Sequence, residues 1–388
     1  MSDFSCNTPP GDQAAARGYV SAPGEPAHFK RNLLVLFLAF ALAACSSSTP
    51  TPTAAPLSTS VMSAPDAAAT PTTAPVEPAS TTVSLTPTGN PITIYFLGTE
   101  APDALQTTAQ KFGWRVEQRA ASVDSARATA QAGAKVIVVD RVNVVEVARE
   151  FAQTHFINLN VAVSGDLPSN TLILGGPTDR YDQAGFLAGM VAGFATATQR
   201  VAAVTTPTSP EALKYRNGFV SGVRYACARC RIDLIDLADT QATDFANTEA
   251  AKYASYGVDV LFTAAGAAGE SALFTAARSG VWVIGSGRDV NHLFAEPGSW
   301  SGQDHALTSV YIDPGEALAF VLKGFNEDKP LTGAQPLSLA NGGVMMAPYT
   351  NADAVLSPLD RQDIETARAR LASGALETGV DPLTGAER

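Results

Sequence analysis

Histidine and cysteine are scarce in this 388-residue sequence, and basic residues are outnumbered. The four histidines, His28, His155, His292 and His305, are scattered along the chain. The four cysteines, Cys6, Cys45, Cys227 and Cys230, form no double CxxC or Cys/His array at zinc spacing. No metal site and no cofactor is therefore expected. Lys and Arg total 26 against 37 Asp and Glu, a net charge of −11, which is the wrong sign for broad binding to nucleic acid or anionic lipid. Also missing are the phosphate-cradling G-x-x-x-x-G-K-[ST], the G-x-S-x-G elbow and H-E-x-x-H, so the expectation is a protein that is not an enzyme. No apolar run reaches the roughly 20 residues that a membrane-spanning helix needs.

The apolar run that is present, residues 33–44, follows Lys30-Arg31 and ends in Leu42-Ala43-Ala44-Cys45, then Ser46-Ser47-Ser48. A basic flank, a short apolar stretch and small residues before a cleavage point define a secretory signal. The ending resembles a bacterial lipobox, which implies cleavage before Cys45 and lipidation of its thiol; the alternative is a signal anchor retained in the membrane. Residues 1–45 are thus read as leader and signal. Residues 46–90 are almost wholly Thr, Ser, Pro and Ala and cannot bury enough apolar surface to offset chain entropy. They are expected to form a disordered tether, with an upper reach on the order of 140 Å at about 3.1 Å per residue.

From residue 91 the pattern changes. Apolar, β-branched runs at 92–98, 135–140, 156–163, 200–204, 232–237, 258–263 and 281–285 predict strands. Between them, 101–112, 122–132, 144–154, 181–196, 209–224, 243–256 and 269–279 predict helices. The helix over 181–196 carries Ala184, Gly185, Ala188, Gly189, Ala192 and Gly193, small residues that permit close packing on a neighbour. Strand–helix alternation implies parallel sheets covered by helices, an α/β class.

Such sheets hold ligands at the carboxyl ends of their strands. The residues to weigh there are Thr99, Glu100, Asp140, Arg141, Gly266, Gly287 and Asp289. Asp289 can accept two hydroxyls or be a plain turn aspartate. Gly266 lets backbone N–H groups approach a ligand, or merely turns the chain. Arg141 can clamp an anion or stack on a ring, or be a solvated arginine. Glu100 and Asp140 carry the same two readings. Phe245 can stack on a base or pack its own helix.

Four segments carry a resemblance. They are Tyr181-Asp182-Gln183-Ala184-Gly185-Phe186-Leu187-Ala188-Gly189, Tyr215-Arg216-Asn217-Gly218-Phe219-Val220-Ser221-Gly222-Val223, Val258-Asp259-Val260-Leu261-Phe262-Thr263-Ala264-Ala265-Gly266 with Gly280-Val281-Trp282-Val283-Ile284-Gly285, and Thr308-Ser309-Val310 with Gly342-Gly343-Val344. Together, in this order, they resemble the basic membrane lipoprotein (PnrA-like) family, the type I solute-binding lipoproteins of nucleoside importers. The resemblance implies a type I periplasmic-binding-protein-like fold, with two doubly wound parallel-sheet lobes joined by a hinge. The first lobe is expected at about 91–197 plus 311–333 and the second at about 198–310 plus 335–388. Crossings are expected near 197–200, 306–314 and 330–337.

The chain departs from the family at several positions. The Asp-x-Ser-Phe-Asn loop is replaced by Thr99-Glu100-Ala101-Pro102-Asp103. The ribose-binding aspartate falls on Gly287, with Asp289 two residues on, and the family lysine falls on Ile312. What the resemblance implies is a monomeric, lipid-anchored protein on the extracytoplasmic face of the cell membrane. It would capture a small polar solute, purine-nucleoside-like, for an ABC permease and ATPase, without nucleic acid. The alternative is a tethered sensor that signals to a membrane partner. Outside the cell Cys227-Ala228-Arg229-Cys230 reads as a small structural disulfide, against a redox site.

Overall fold

The computed structural model describes residues 92–295 and 302–388; the expected signal, Cys45 and the tether lie outside the described residues. The first apolar runs fold as β1 (Thr93–Leu97), α1 (Asp103–Lys111), β2 (Arg115–Arg119), α2 (Val123–Gln131), β3 (Val136–Asp140), α3 (Val145–Glu150), β4 (His155–Leu159) and β5 (Thr171–Leu174). Ser122 starts α2 by accepting from Ser125 N at 3.0 Å. These five strands and β11 (Gly333–Gln335) form one parallel sheet in the order β11-β5-β4-β3-β1-β2. Both of its faces are covered, which is why β3 is apolar without alternation. Leu105 of α1 and Leu318 of α9 (Pro314–Asn326) pack over Ile94 and Val138. Ala126 of α2 and Val147 of α3 cover Ile137 and Phe156 on the other side.

The second lobe holds α4 (Tyr181–Ala195), β6 (Arg200–Thr205), α5 (Pro210–Ala226), β7 (Arg231–Asp236), α6 (Thr243–Ser255), β8 (Val260–Ala264), α7 (Gly266–Arg278), β9 (Trp282–Ser286), α8 (Val290–Ala295), β10 (Ala306–Ile312), β12 (Val344–Met346) and α10 (Pro358–Ala372). Its sheet runs β12-β10-β9-β8-β6-β7, parallel except for the β10–β12 pair. The two sheets repeat one winding: β3 of the first corresponds to β8 of the second, and β4 to β9. The chain is therefore two doubly wound α/β lobes.

Helix α4 corrects the expected boundary near 197–200. It does not pack on the first sheet. Leu187, Met190 and Val191 join Phe219, Phe262 and Val310 in the core of the second, so the first crossing is at 175–180. The cause is a backbone contact between α4 and α5. A methyl on Gly222 would stand 2.0 Å from Phe186 O, and one on Gly189 2.2 Å from Phe219 O. Gly185 and Gly218 are equally tight, at 2.3 Å from Tyr215 O and Asp182 O. Only glycine allows this approach.

The other crossings lie between β10 and α9 and between β11 and β12. All three are tied together. Arg180 N donates to Leu337 O at 2.9 Å, and Asp313 N to Gly343 O at 3.0 Å. Leu337 N donates to the Asp179 carboxylate at 2.8 Å, and Leu339 N to the Gln183 side chain at 2.9 Å. Lys214, fully buried on α5, donates to Pro177 O at 2.6 Å and Asp179 O at 3.1 Å. Burial pushes its amine below the usual value.

Candidate functional site

The strand ends of the first lobe bring two predicted pairs into defined geometry. Thr99 and Glu100 follow β1 and are exposed. Gln118 of β2 holds their loop, donating to Thr99 O at 2.5 Å and accepting from Ala101 N at 3.3 Å. Asp140 ends β3, and its carboxylate is shared. Asn160 Nδ2 donates to one oxygen at 3.0 Å, and Arg141 Nε lies 3.6 Å from the other. Arg141 and Asn160 both have left-handed backbones, φ 59 and 54, strain of the kind that collects at functional loops. Asn160 was not singled out in the sequence. Its signal was a polar residue directly after the apolar strand β4.

In the second lobe a pocket of about 260 Å³ opens at the ends of β8 and β9, lined by Thr263, Gly266, Glu270, Ser286, Gly287 and Arg288 among others. Two predicted residues, Gly266 and Gly287, are in it. Gly266 opens α7 with φ 54, and a methyl there would meet Thr240 Cβ at 3.1 Å. Gly287 has φ 80, nothing lies within 4 Å of a methyl at that position, and its N–H donates to Val310 O at 3.1 Å. Arg288 grips Glu270 through two contacts of 2.9 Å. Ser286 and Arg288 lie in the loop after 281–285, one of the strand-end loops expected to face a ligand, whereas Thr263 and Glu270 were not singled out in the sequence. For Thr263 the signal was a lone polar residue in the otherwise apolar strand Val260–Ala264.

The remaining predicted residues are placed elsewhere. Asp289 starts α8: its Oδ1 accepts from Asn291 N at 2.9 Å and its carbonyl from Leu293 N at 3.2 Å, so the carboxylate partly serves as a helix cap. Tyr311 of β10 is close enough for Asp289 to matter electrostatically. Burial, then the charges of Asp313, Asp289 and Glu316, push its hydroxyl above the ordinary range. Phe245 is in the first turn of α6, beside the edge strand β7, and is 53 % exposed; it is not part of the pocket lining. Cys227 and Cys230 are joined in a disulfide, Cα–Cα 5.4 Å, at the end of α5 and before the amino end of β7, away from the strand-end loops. A larger cavity, about 550 Å³, lies between α1 and α9 and includes Asp103, Lys111, Phe112 and Lys323. It touches none of the strand-end loops. Among the described residues no group of three or more His, Cys, Asp or Glu side chains is placed to hold a metal ion.

Comparison with known proteins gives a consistent result. The profile of a family described as "ABC transporter substrate-binding protein PnrA-like" (Bmp) matches residues 104–373. Among solved structures, a solute-binding protein of an ABC transporter system from Conexibacter woesei superimposes with a TM-score of 0.54 at 21% identity, over 74% of this chain and 98% of that one. A structure described as a transcriptional activator of the comK gene from Bacillus halodurans superimposes with a TM-score of 0.52 at 19% identity, over 74% of this chain and 99% of that one. At such identities the superpositions speak for the fold alone. No curated protein sequence matches the chain.

Proposed function

The chain belongs to the PnrA-like family of ABC transporter substrate-binding proteins, and from that membership we propose that it captures a small polar solute between its lobes and delivers it to an ABC importer. The observation that carries the reading is the pocket of about 260 Å³ at the ends of β8 and β9, the end of a doubly wound sheet where ligands bind. The first lobe would add Thr99, Glu100, Asp140 and Arg141 from its own strand ends. A solute that touches both sets favours the closed arrangement of the lobes by the difference in its affinity for the two arrangements. Capture of this kind involves no bond making, so the protein acts as a binder and not as an enzyme.

The solute class we propose first is a purine-nucleoside-like molecule, which the family resemblance supports. Lipidation of Cys45 would hold the domain on the extracytoplasmic face of the membrane as a monomer, with residues 46–90 as its tether. The Leu42-Ala43-Ala44-Cys45 ending supports that placement.

A thermal-shift screen of the purified chain against nucleosides, bases, sugars and amino acids tests the binding reading. A ligand present at about 100 times its Kd stabilises the fold by about 2.7 kcal/mol, and the stabilisation grows with the logarithm of concentration. Inosine or adenosine should raise Tm in this way. A screen in which only another solute class raises Tm rejects the nucleoside assignment. Mass spectrometry of the mature protein tests the anchor, which an unmodified Cys45 thiol eliminates.

A further inference from the structure

The pocket between β8 and β9 offers more hydrogen-bond donors than free acceptors. Helix α7 is 13 residues long, and its N-cap, Ala265, has no side-chain oxygen to satisfy the first turn. Ala268 N reaches Thr240 O at 2.9 Å and Gly269 N reaches Ala265 O at 3.2 Å. The amides of Gly266 and Ala267 meet no protein acceptor among the described residues. Beside this turn Thr263, only 3 % exposed, lines the cavity, and its hydroxyl makes no hydrogen bond with the described residues. Ser286 lines the cavity from β9 and brings a second hydroxyl. Each carboxylate oxygen of Glu270 already accepts from Arg288 at 2.9 Å, so the one acid in the lining is neutralised where it stands. The helix start adds a partial positive charge of about half a unit. In the repeated winding of the two sheets β8 matches β3, and the loop after β3 carries Arg141.

The unpartnered hydroxyl of a buried threonine, a second hydroxyl and free amides at a helix start are completed by a group that only accepts and is negatively charged. We propose that this pocket receives an oxyanion of the captured solute, a phosphate or a carboxylate, bound by the amides of Gly266 and Ala267 and the hydroxyls of Thr263 and Ser286. The inference rests on the reading of this pocket as part of the solute site, and it adds charge to the solute class. A ribose-bearing ligand would enter with its anionic end toward α7. The absence of a side chain at Gly287, where nothing lies within 4 Å, leaves room for it.

Calorimetric titration of the full chain tests the proposal with matched probes: inorganic phosphate, ribose 5-phosphate, ribonate, ribose, adenosine and adenosine monophosphate. The expected result is that at least one anionic probe binds about tenfold or more tighter than its neutral counterpart, the step a charge-assisted hydrogen-bond set supplies. Ribose 5-phosphate against ribonate then separates phosphate from carboxylate. Thr263→Val, nearly isosteric and so least disturbing to the strand, should weaken the anionic probe about tenfold and the neutral one by clearly less. Ser286→Ala provides the same readout from a less buried position. Equal or tighter binding of ribose and adenosine than of their anionic counterparts overturns the oxyanion and leaves the nucleoside reading standing. Binding of ribose 5-phosphate or ribonate without adenosine supports the oxyanion and removes the nucleoside. No binding of any anionic probe, or unchanged anion affinity in both variants, overturns the proposal.

Discussion

Replacing Gly222 by alanine sets two known effects against each other, and the structure decides which wins. A helical glycine exchanged for alanine gains about 1 kcal/mol of helix propensity. The new methyl, however, would stand 2.0 Å from Phe186 O, 2.8 Å from Phe186 C and 3.0 Å from Met190 N. All three are backbone atoms of α4, which cannot step aside by changing rotamer. To restore ordinary contact the helices must separate by roughly 1 Å, and a gap of that size forfeits about a quarter to a half of each dispersion contact across the seam. The seam is the centre of the second lobe's core, with Phe186, Phe219 and Val223 all buried in it. Overpacking costs about 1–3 kcal/mol where side chains can adjust; against backbone the net loss should be roughly 2–4 kcal/mol after the propensity gain. Gly193→Ala is the internal comparison. Its methyl meets Ala226 Cβ at 2.9 Å, Val223 O at 3.3 Å and Cys227 Cβ at 3.4 Å, near the helix ends and nowhere as close as 2.0 Å, and its net effect should stay within about 1 kcal/mol. Urea unfolding followed by circular dichroism reads both through the midpoint at unchanged slope. A Gly222→Ala protein as stable as its parent, or one that loses no more than Gly193→Ala, refutes the backbone contact as the feature that binds α4 to the second lobe.

Two further outcomes follow from buried polar groups. His155 is buried against Phe325, and burial lowers its pKa from 6.5 to about 4 even though Leu331 O lies 3.1 Å from Nε2. The unfolded chain takes up a proton near pH 6.5 that the folded chain resists until about pH 4, so stability is full above that window and declines as pH falls through it. The decline attributable to this one group is about 3 kcal/mol. His155→Phe lacks this decline, so the stability difference between wild type and variant, measured by unfolding at pH 7 and 4.5, should change by about 2 kcal/mol in the variant's favour at the lower pH; parallel pH profiles would refute it. Lys214→Met keeps the length of the side chain but strands Pro177 O and Asp179 O. Each buried acceptor left without a partner costs about 1–3 kcal/mol. Hydrogen exchange at the Arg180 and Leu337 amides should accelerate, and unchanged exchange there would remove Lys214 from the crossing.

The strands of both lobes were legible because a strand covered on two faces must be apolar along its buried length, and 136–139, 201–204 and 260–262 are. Boundaries set by distant side chains were not legible. The helix expected over 144–154 stops at Glu150 because Asn170 Nδ2 donates to the carbonyls of Ala148, Phe151 and Thr154 at 3.1, 3.0 and 2.8 Å. No local pattern announces a partner about 20 residues away. The affiliation of α4 was hidden for a related reason. Its glycine spacing promised a close helix neighbour but could not say whether that neighbour came before it or after it. At the site, the turn glycines Gly266 and Gly287 stood out because their neighbours are regular. Glu270 and Arg288 did not, since a bidentate pair 18 residues apart is invisible until the β8 and β9 ends are adjacent.

The placement of α4 in the second lobe has a mechanical consequence for the closure that the proposed function requires. From Pro177 onward the first crossing is fastened to that lobe: Lys214 holds Pro177 O and Asp179 O, and Lys214 is itself part of α5, which is locked to α4 by the glycine seam. Arg180 adds a bidentate contact with Asp182 at 2.9 and 2.8 Å, and Thr378 donates to the same carboxylate at 2.5 Å. On the other side, Leu174 is the last residue of β5 and pairs with Leu159. Between these fixed ends stand only Gly175 and Gly176, at φ 85 and 143, conformations that glycine reaches without strain. Rotation of one lobe against the other has to be absorbed by few residues at each crossing, and on the first crossing these two are held by backbone contacts alone, Gly175 N donating to Gln335 O at 2.9 Å and Gly176 O accepting from Asp179 N at 3.0 Å. The buried lysine, costly to desolvate, thus has a physical role: it shortens the flexible part of the crossing from a six-residue segment, 175–180, to a glycine pair, so that a solute held at the strand ends works against one defined pivot.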